Sequence, residues 1–397
     1  VKAGFNKVAW VSGSEPTRLG HYIETSVGGE RVRAFVPPPL PPDPPINVAP
    51  LLVLLTEAER ALGRLDGVAS ILPDRDIFLY AYVRKEALLS SQIEGTQSSL
   101  SDLLLFEAEE APGAPVDDVR EVSNYVAAMD HGLRRLRNDD FPLSLRLIRE
   151  IHGILLAGGR GADQDAGAFR RSQNWIGGSR PGNAAFVPPP PSHILPCMGD
   201  LERFLHASEG DMPTLIKAGL AHVQFETIHP FLDGNGRLGR LLITFLLCAE
   251  GVLREPLLYL SLYFKSRRQD YYDLLQEVRI RGNWERWLEF FLIGVAETAG
   301  SAATTAQRTL DQFSQHRRAI EKLGRSAGST LRLHDLLQSK PLLSIPDAAR
   351  RLRLSQPTVT KAVEQLEHLG VVREITGRAR SRIFAYAAYL DILSEGT

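Results

Sequence analysis

Two cysteines in 397 residues, Cys197 and Cys248, stand far apart and outside any Cys-x-x-Cys spacing. That gives neither a disulfide framework nor a ligand set for structural zinc. Long apolar runs are missing as well. The longest, near Leu241 to Ala249, is too short to cross a bilayer, and Val1-Lys2-Ala3-Gly4-Phe5 has no apolar signal core, so a cytoplasmic protein with no membrane contact is expected. Excess charge of one sign is absent: a net charge of −1 argues against a protein that coats nucleic acid along its whole surface. The length, in contrast, allows two or three domains and a substantial core.

The stretch with most chemistry is His229-Pro-Phe-Leu-Asp-Gly-Asn-Gly-Arg-Leu-Gly-Arg240. Asp233-Gly234-Asn235-Gly236 reads as a tight loop, and the apolar run from Leu238 to Ala249 has the length and composition of a buried helix. A loop opening a helix aims backbone N–H groups and the positive end of the helix at one spot, which suits a phosphate. Around that spot stand an imidazole (His229), a carboxylate able to hold a divalent cation (Asp233) and two guanidiniums (Arg237, Arg240). Phosphoryl and nucleotidyl transfer need these parts: anion cradle, metal ligand, base and charge clamps. An ordinary turn before a core helix explains the glycines but not the other four residues.

The same twelve residues resemble the signature of the Fic family, His-x-Phe-x-(Asp/Glu)-Gly-Asn-Gly-Arg-x-x-Arg, at every fixed position. The resemblance implies a mainly α fold: an all-helical Fic core with a short β-hairpin flap. It also implies transfer of AMP from ATP to a hydroxyl side chain of a protein, with Mg2+ as cofactor. His229 would then be catalytic, Asp233 the metal ligand, and Gly234, Asn235, Gly236, Arg237 and Arg240 the nucleotide contacts.

Before the signature, Val36-Pro37-Pro38-Pro39-Leu40-Pro41-Pro42 closes some fifty residues read as a spacer or wrapping arm. Leu51, Leu54, Leu55, Ala58, Leu62 and Leu65 follow one helical face, with Gly67 as a stop. A second helix, roughly Ile77 to Glu94, closes on Ser90-Ser91-Gln92-Ile93-Glu94-Gly95. Ser90 and Glu94 lie one turn apart, so a packed helix can present the carboxylate to an arginine. A glutamate at a helix end before a capping glycine is also common. The stretch resembles the family's inhibitory motif, (Ser/Thr)-x-x-x-Glu-(Gly/Asn), which implies that Ser90, Glu94 and Gly95 restrain Arg240 from within the same chain.

Helices are expected at Val119–Leu136 and Leu143–Leu156, where His152 reads as structural, and then at Leu195–His206 and Pro213–Thr227. Between them, Asn174-Trp175-Ile176-Gly177-Gly178 and Ala185-Phe186-Val187 flank a turn at Arg180-Pro181-Gly182-Asn183. This is either a hairpin whose free edge accepts an extended peptide, placed like the Fic flap, or a loop with a buried Trp175. His222 stands seven residues before His229, but Pro230 disfavours a metal pair. Tyr272 is the candidate to stack on adenine, because an aromatic face suits any base and its region resembles that pocket in the family. A further helix is expected from Trp284 to about Leu323.

The last segment changes character. A helix follows Ser344, a second spans Pro357 to Leu369 and stops at Gly370, and Val371–Glu374 and Arg382–Tyr386 can pair around Gly377. The order resembles a winged helix-turn-helix, whose second helix enters the major groove. Positions 350, 351, 353, 361, 373, 378, 380 and 382 are Lys or Arg against Glu at 364, 367 and 374. That local excess fits phosphate contact, although such domains also serve as dimerisation modules. The division expected is 1–118 (arm and inhibitory region), 119–325 (catalytic) and 328–397 (winged helix). The partners expected are a protein bearing a Tyr, Ser or Thr hydroxyl, the chain itself, DNA, or a second copy. Three other activities stay open: a nucleotide-sensing DNA regulator, removal of AMP, or phosphotransfer.

Overall fold

The computed structural model describes residues 18–70, 75–107, 114–139, 141–159, 161, 163–207, 212–324, 327–378 and 382–395. The N-terminal residues weighed as a signal core and Arg380 of the basic stretch lie outside them.

The first element corrects the sequence reading. Residues 21–36 are no spacer but a hairpin, β1 (His21–Val27) and β2 (Glu30–Val36), with Val27 opposite Glu30. Gly28 and Gly29 make the turn, both at positive φ (58° and 84°), which two-residue hairpin turns require. Val32, Ala34 and Val36 point inward at period two. The proline run begins only after β2.

Helix α1 (Leu52–Ser70) buries Leu55, Ala58, Leu62 and Leu65 in one stripe along α11 (Trp284–Glu321). It runs through Gly67 rather than stopping there. Helix α2 (Arg75–Ile93) packs on α4 (Val116–Asn138) and α9 (Ser261–Ser266), with α3 (Leu100–Glu107) beside them. Helix α5 (Leu145–Leu155), capped by the Ser144 hydroxyl, lies against α4. Helices α6 (Pro191–Leu205), α7 (Thr214–Ile228), α8 (Asn235–Ala249) and α10 (Arg268–Arg281) complete the core. At its centre is α7, apolar or small on most sides and buried from Leu215 to Ile228. Two of its polar side chains are matched: Lys217 pairs with Glu250 at 2.8 Å, and Gln224 donates to the Pro38 carbonyl at 2.8 Å.

The C-terminal part contains α12 (Ala327–Ser339), β3 (Leu342–Ser344), α13 (Ile345–Leu352), α14 (Gln356–His368), β4 (Arg373–Glu374), β5 (Ile383–Ala385) and α15 (Ala387–Ser394). Ser344 and Ser355 cap α13 and α14, Arg353 turns between them at φ +53°, and Gly370 stops α14. The three strands form one antiparallel sheet in the order β3-β5-β4, a small winged helix. From it α15 returns to α11 and α2. There Lys85 Nζ donates to the Glu395 carbonyl at 2.7 Å.

Candidate active site

Pro230 disfavours the helical conformation in the residue before it, so α7 stops at Ile228 and His229 turns left-handed at φ +48°. The loop that follows is closed by Asn235, whose Oδ1 accepts from the Phe231 N–H (2.9 Å) and whose Nδ2 donates to the Phe231 carbonyl (2.8 Å). That occupies the Asn235 side chain, leaving its backbone for an anion. Gly234 takes φ +74° at the start of α8, where the first N–H groups have no partner one turn back.

Beneath the loop lies His152, fully buried and stacked on Phe231 at 3.7 Å. Its Nδ1 accepts from the Gly167 N–H at 2.8 Å, so the ring proton sits on Nε2 and is donated to the Asp233 carbonyl at 3.0 Å. Burial lowers its pKa to about 4 and keeps it neutral. His152 is thus a prop for the loop. His152→Phe, which keeps the ring but strips both bonds, is expected to cost about 1–3 kcal/mol, from two half-buried groups left unmatched. Denaturant unfolding measures it, and an unchanged midpoint would show that the loop does not depend on this prop.

Arg237 points inward, its Nη1 donating to Glu121 of α4 at 3.1 Å and its Nη2 lying 3.7 Å from Asp233. Arg240 faces α2: Nε donates to the Ser90 hydroxyl (2.8 Å), and Nη2 to the Ser90 carbonyl (2.9 Å) and Glu94 Oε1 (2.8 Å). Glu94 stands just past the last turn of α2, before Gly95 at φ +104°. Desolvation works to raise the Glu94 carboxyl, but the Arg240 charge and hydrogen bond outweigh it, and the net shift is downward. Arg240 is 2% exposed while Glu94 keeps 35% of its side chain accessible, so this ion pair is sealed on one side only. The carboxylate lies over Gly236, where a Cβ would come within 2.2 Å of Glu94 Oε1.

The His229 imidazole is held at a pKa of about 3. Desolvation comes first and the Arg279 and Arg170 guanidiniums act with it, while Glu94 and the Glu226 carbonyl oppose them. Neutral imidazole is therefore the resting form at physiological pH. Its Nδ1 is sealed from solvent. Tyr272 is 38% exposed and senses both Glu94 and Arg240, whereas Tyr271 is core, hydrogen-bonded to His222 Nε2 at 2.8 Å. His222 also uses Nδ1, on the Gly239 carbonyl at 2.9 Å, so neither nitrogen is open to a metal.

The flap is slighter than a regular hairpin. Ile176 and Phe186 make a single antiparallel bridge, and a 3-10 turn at Pro181–Asn183 joins the arms. Trp175 is 37% exposed, which removes the reading that buries it. The Phe35 N–H of β2 donates to the Val187 carbonyl at 2.9 Å, and Arg180 pairs with Glu30 at 2.7 Å. The far side of the flap strand is thus already covered.

Among the described residues no group of three or more His, Cys, Asp or Glu side chains could cage a metal. Asp233, with 41% of its side chain open, fits the other mode: Mg2+ held by one carboxylate while substrate phosphates complete the shell. Arg170, Arg279 and Glu121 also belong to the site, with no signal in the sequence. No local pattern sets these charges apart from their solvated neighbours, because their burial is produced by tertiary packing.

Residues 52–134 match the model of the Fic/DOC family N-terminal region, 142–247 that of the Fic/DOC family, and 328–373 that of winged helix-turn-helix DNA-binding domains. Protein adenylyltransferase Fic of Aedes aegypti is 31% identical over 258 residues, covering 61% of this chain and 49% of that protein. Its counterpart in Culex quinquefasciatus is 30% identical over 252 residues, covering 60% and 47%. The chain spans about half the length of these curated relatives. A crystal structure of a Fic family protein from Desulfovibrio desulfuricans G20 superposes with a TM-score of 0.56 at 21% identity, over 89% of this chain and 98% of that one, and so shares the fold. The chain thus carries a Fic/DOC N-terminal region and a Fic/DOC domain, with a winged helix-turn-helix behind them.

Proposed function

We propose that this protein transfers AMP from ATP to a hydroxyl side chain of a protein, and that Glu94 restrains the reaction by occupying Arg240. The observation that carries the reading is the Glu94 carboxylate 2.8 Å from Arg240 and directly over Gly236, at the anion-binding start of α8. Relatives named protein adenylyltransferase support the reaction class.

In this reading the first N–H groups of α8 bind the phosphates. Asp233 would hold Mg2+, which would supply neutralisation of phosphate charge. The target oxygen attacks the α-phosphorus, its proton passes to Nε2 of His229, and the bond from α-phosphorus to the bridging oxygen breaks to release pyrophosphate. Arg240, once free of Glu94, faces the γ-phosphate. Tyr272 offers its exposed face to adenine. A kinase of the Doc type carries Lys where Gly236 stands. Here any side chain at 236 would meet Glu94, so the glycine and the restraint belong together. ATP labelled on the α-phosphate should leave its label on protein, and ATP labelled on the γ-phosphate should not. The reverse pattern would replace AMP transfer by phosphotransfer, and loss of AMP from pre-labelled protein would favour removal.

A second reading rests on α14, which turns Gln356, Pro357 and Lys361 to solvent, and on the wing, where Arg373 and Arg382 are exposed. This is the face through which such a domain meets duplex DNA. The full chain should retard duplex DNA in a gel, and Lys361→Ala with Arg373→Ala should each flatten the salt dependence by about 0.9 in log–log slope. No retardation at low salt would remove this reading.

A further inference from the structure

Arg170 lies between α5 and the flap, is 2% exposed, and makes no ion pair among the described residues. Burial alone acts on its guanidinium, lowering its pKa to about 10, so it remains a cation at neutral pH. A buried charge with no counter-ion is costly unless fixed dipoles replace the lost water. Here they do. Nε donates to the His229 carbonyl (2.9 Å), Nη1 to the Ser172 carbonyl (3.0 Å) and Nη2 to the Pro189 carbonyl (2.6 Å). The Arg170 N–H adds a bond to the Pro230 carbonyl at 2.9 Å. Ser172 and Pro189 are the two feet of the flap, and His229 and Pro230 open the catalytic loop.

A planar fork reaching three carbonyls on three segments sets their mutual distances. Two weaker ties run alongside it: Gln173 Nε2 to the Pro188 carbonyl (2.9 Å) and Asn174 Nδ2 to the Phe231 carbonyl (2.9 Å). On the opposite side Arg279 of α10 donates to the Glu226 carbonyl at 3.1 Å and stacks over Phe186 of the flap at 4.1 Å. The charged groups acting on the His229 ring are therefore Arg279 from α10, Arg170 from the flap root and Glu94 from the end of α2.

We propose that Arg170 is a positioning residue that clamps both feet of the flap to the backbone of His229, so that one side chain sets the distance between the segment holding the target and the base acting on it. This rests on the reading of His229 as base. A clamp of this kind acts on the rate of transfer and leaves nucleotide binding alone. Its charge has a separate consequence. A cation beside the ring holds protons off it, so removing the cation raises the imidazole pKa and moves the acid limb of the rate to higher pH.

The experiment uses the full-length Glu94→Gly protein as parent and follows protein-bound label from ATP labelled on the α-phosphate, at saturating ATP and across pH. Arg170→Met should slow labelling about 100-fold, the scale of a small misalignment of reacting groups, with ATP affinity by calorimetry within about threefold of the parent and the acid limb moved upward. Arg170→Lys, whose ammonium cannot bridge all three carbonyls, should keep the acid limb in place yet recover the rate only in part. Labelling by Arg170→Met within threefold of the parent, or ATP affinity falling in step with rate, would overturn the clamp. Should Arg170→Met not fold, Arg170→Lys decides alone: a parental rate overturns the proposal, and a slowed rate at unchanged ATP affinity upholds it. A parent without label sinks the proposed transfer, whereas a labelling parent matched by Arg170→Met sinks only the clamp.

Discussion

Glu94→Gly is expected to raise AMP transfer at least tenfold over the wild-type chain, and it is the most direct handle on the restraint. A hydrogen bond between charged partners is worth about 1.5–3 kcal/mol, and each 1.4 kcal/mol is a factor of ten. Glu94 keeps 35% of its side chain exposed, so the lower end of that range applies. Arg240 does not collapse when the carboxylate goes, because the Ser90 hydroxyl and carbonyl still hold it at 2.8 and 2.9 Å. Glu94→Gln, which keeps the shape and loses the charge, should fall between the two. The sign of any pH effect follows from the depressed carboxyl. A group whose folded pKa lies below its ordinary value keeps its ion pair above that value and loses it as pH falls through the folded one, so the restraint should persist at neutrality and relax only in acid. Labelling that does not rise in Glu94→Gly while ATP still binds would remove Glu94 from the control of this site.

The second large effect is the loss of transfer in His229→Asn within the Glu94→Gly background, by about 10²–10⁴-fold, the usual contribution of a positioned general base. Asparagine is preferred to alanine here for a backbone reason. Position 229 sits at φ +48°, a region asparagine visits far more readily than other residues with a Cβ. The substitution thereby leaves the loop formed while removing the proton acceptor. ATP affinity should be retained, since the phosphates are met by the start of α8 and not by the imidazole. Single-turnover labelling within tenfold of the parent would take the role of base away from His229.

The helices were legible in the sequence because their apolar periodicity is local: the stripe of α1, the buried run of α8 and the serine caps of α13 and α14 are written in consecutive residues. The facing of Glu94 and Arg240, 146 positions apart, was reachable only through resemblance, since no periodicity relates them. Three features were misjudged or missed for different reasons. The hairpin of β1 and β2 carried its own signal, Gly28-Gly29 between runs alternating at period two, but the proline run beside it drew the reading toward an extended arm. His152 reads as structural in the sequence, yet nothing nearby tells that it holds the loop after His229 by the Asp233 carbonyl. Arg170 is followed at once by Arg171, and only the packing of the flap root against Pro230 buries one and leaves the other in water.

The docking of β2 bears on how this protein is handled at the bench. Shortening it to begin near Leu51, the trim that a spacer would invite, would remove Phe35 from the Val187 carbonyl, Glu30 from Arg180 and the Pro38 carbonyl from Gln224. The flap would keep its ties to the loop but lose its cover from β2, leaving a freshly bared strand edge open to other chains. A trimmed preparation that is sluggish or prone to self-association would therefore say little about the catalytic loop itself.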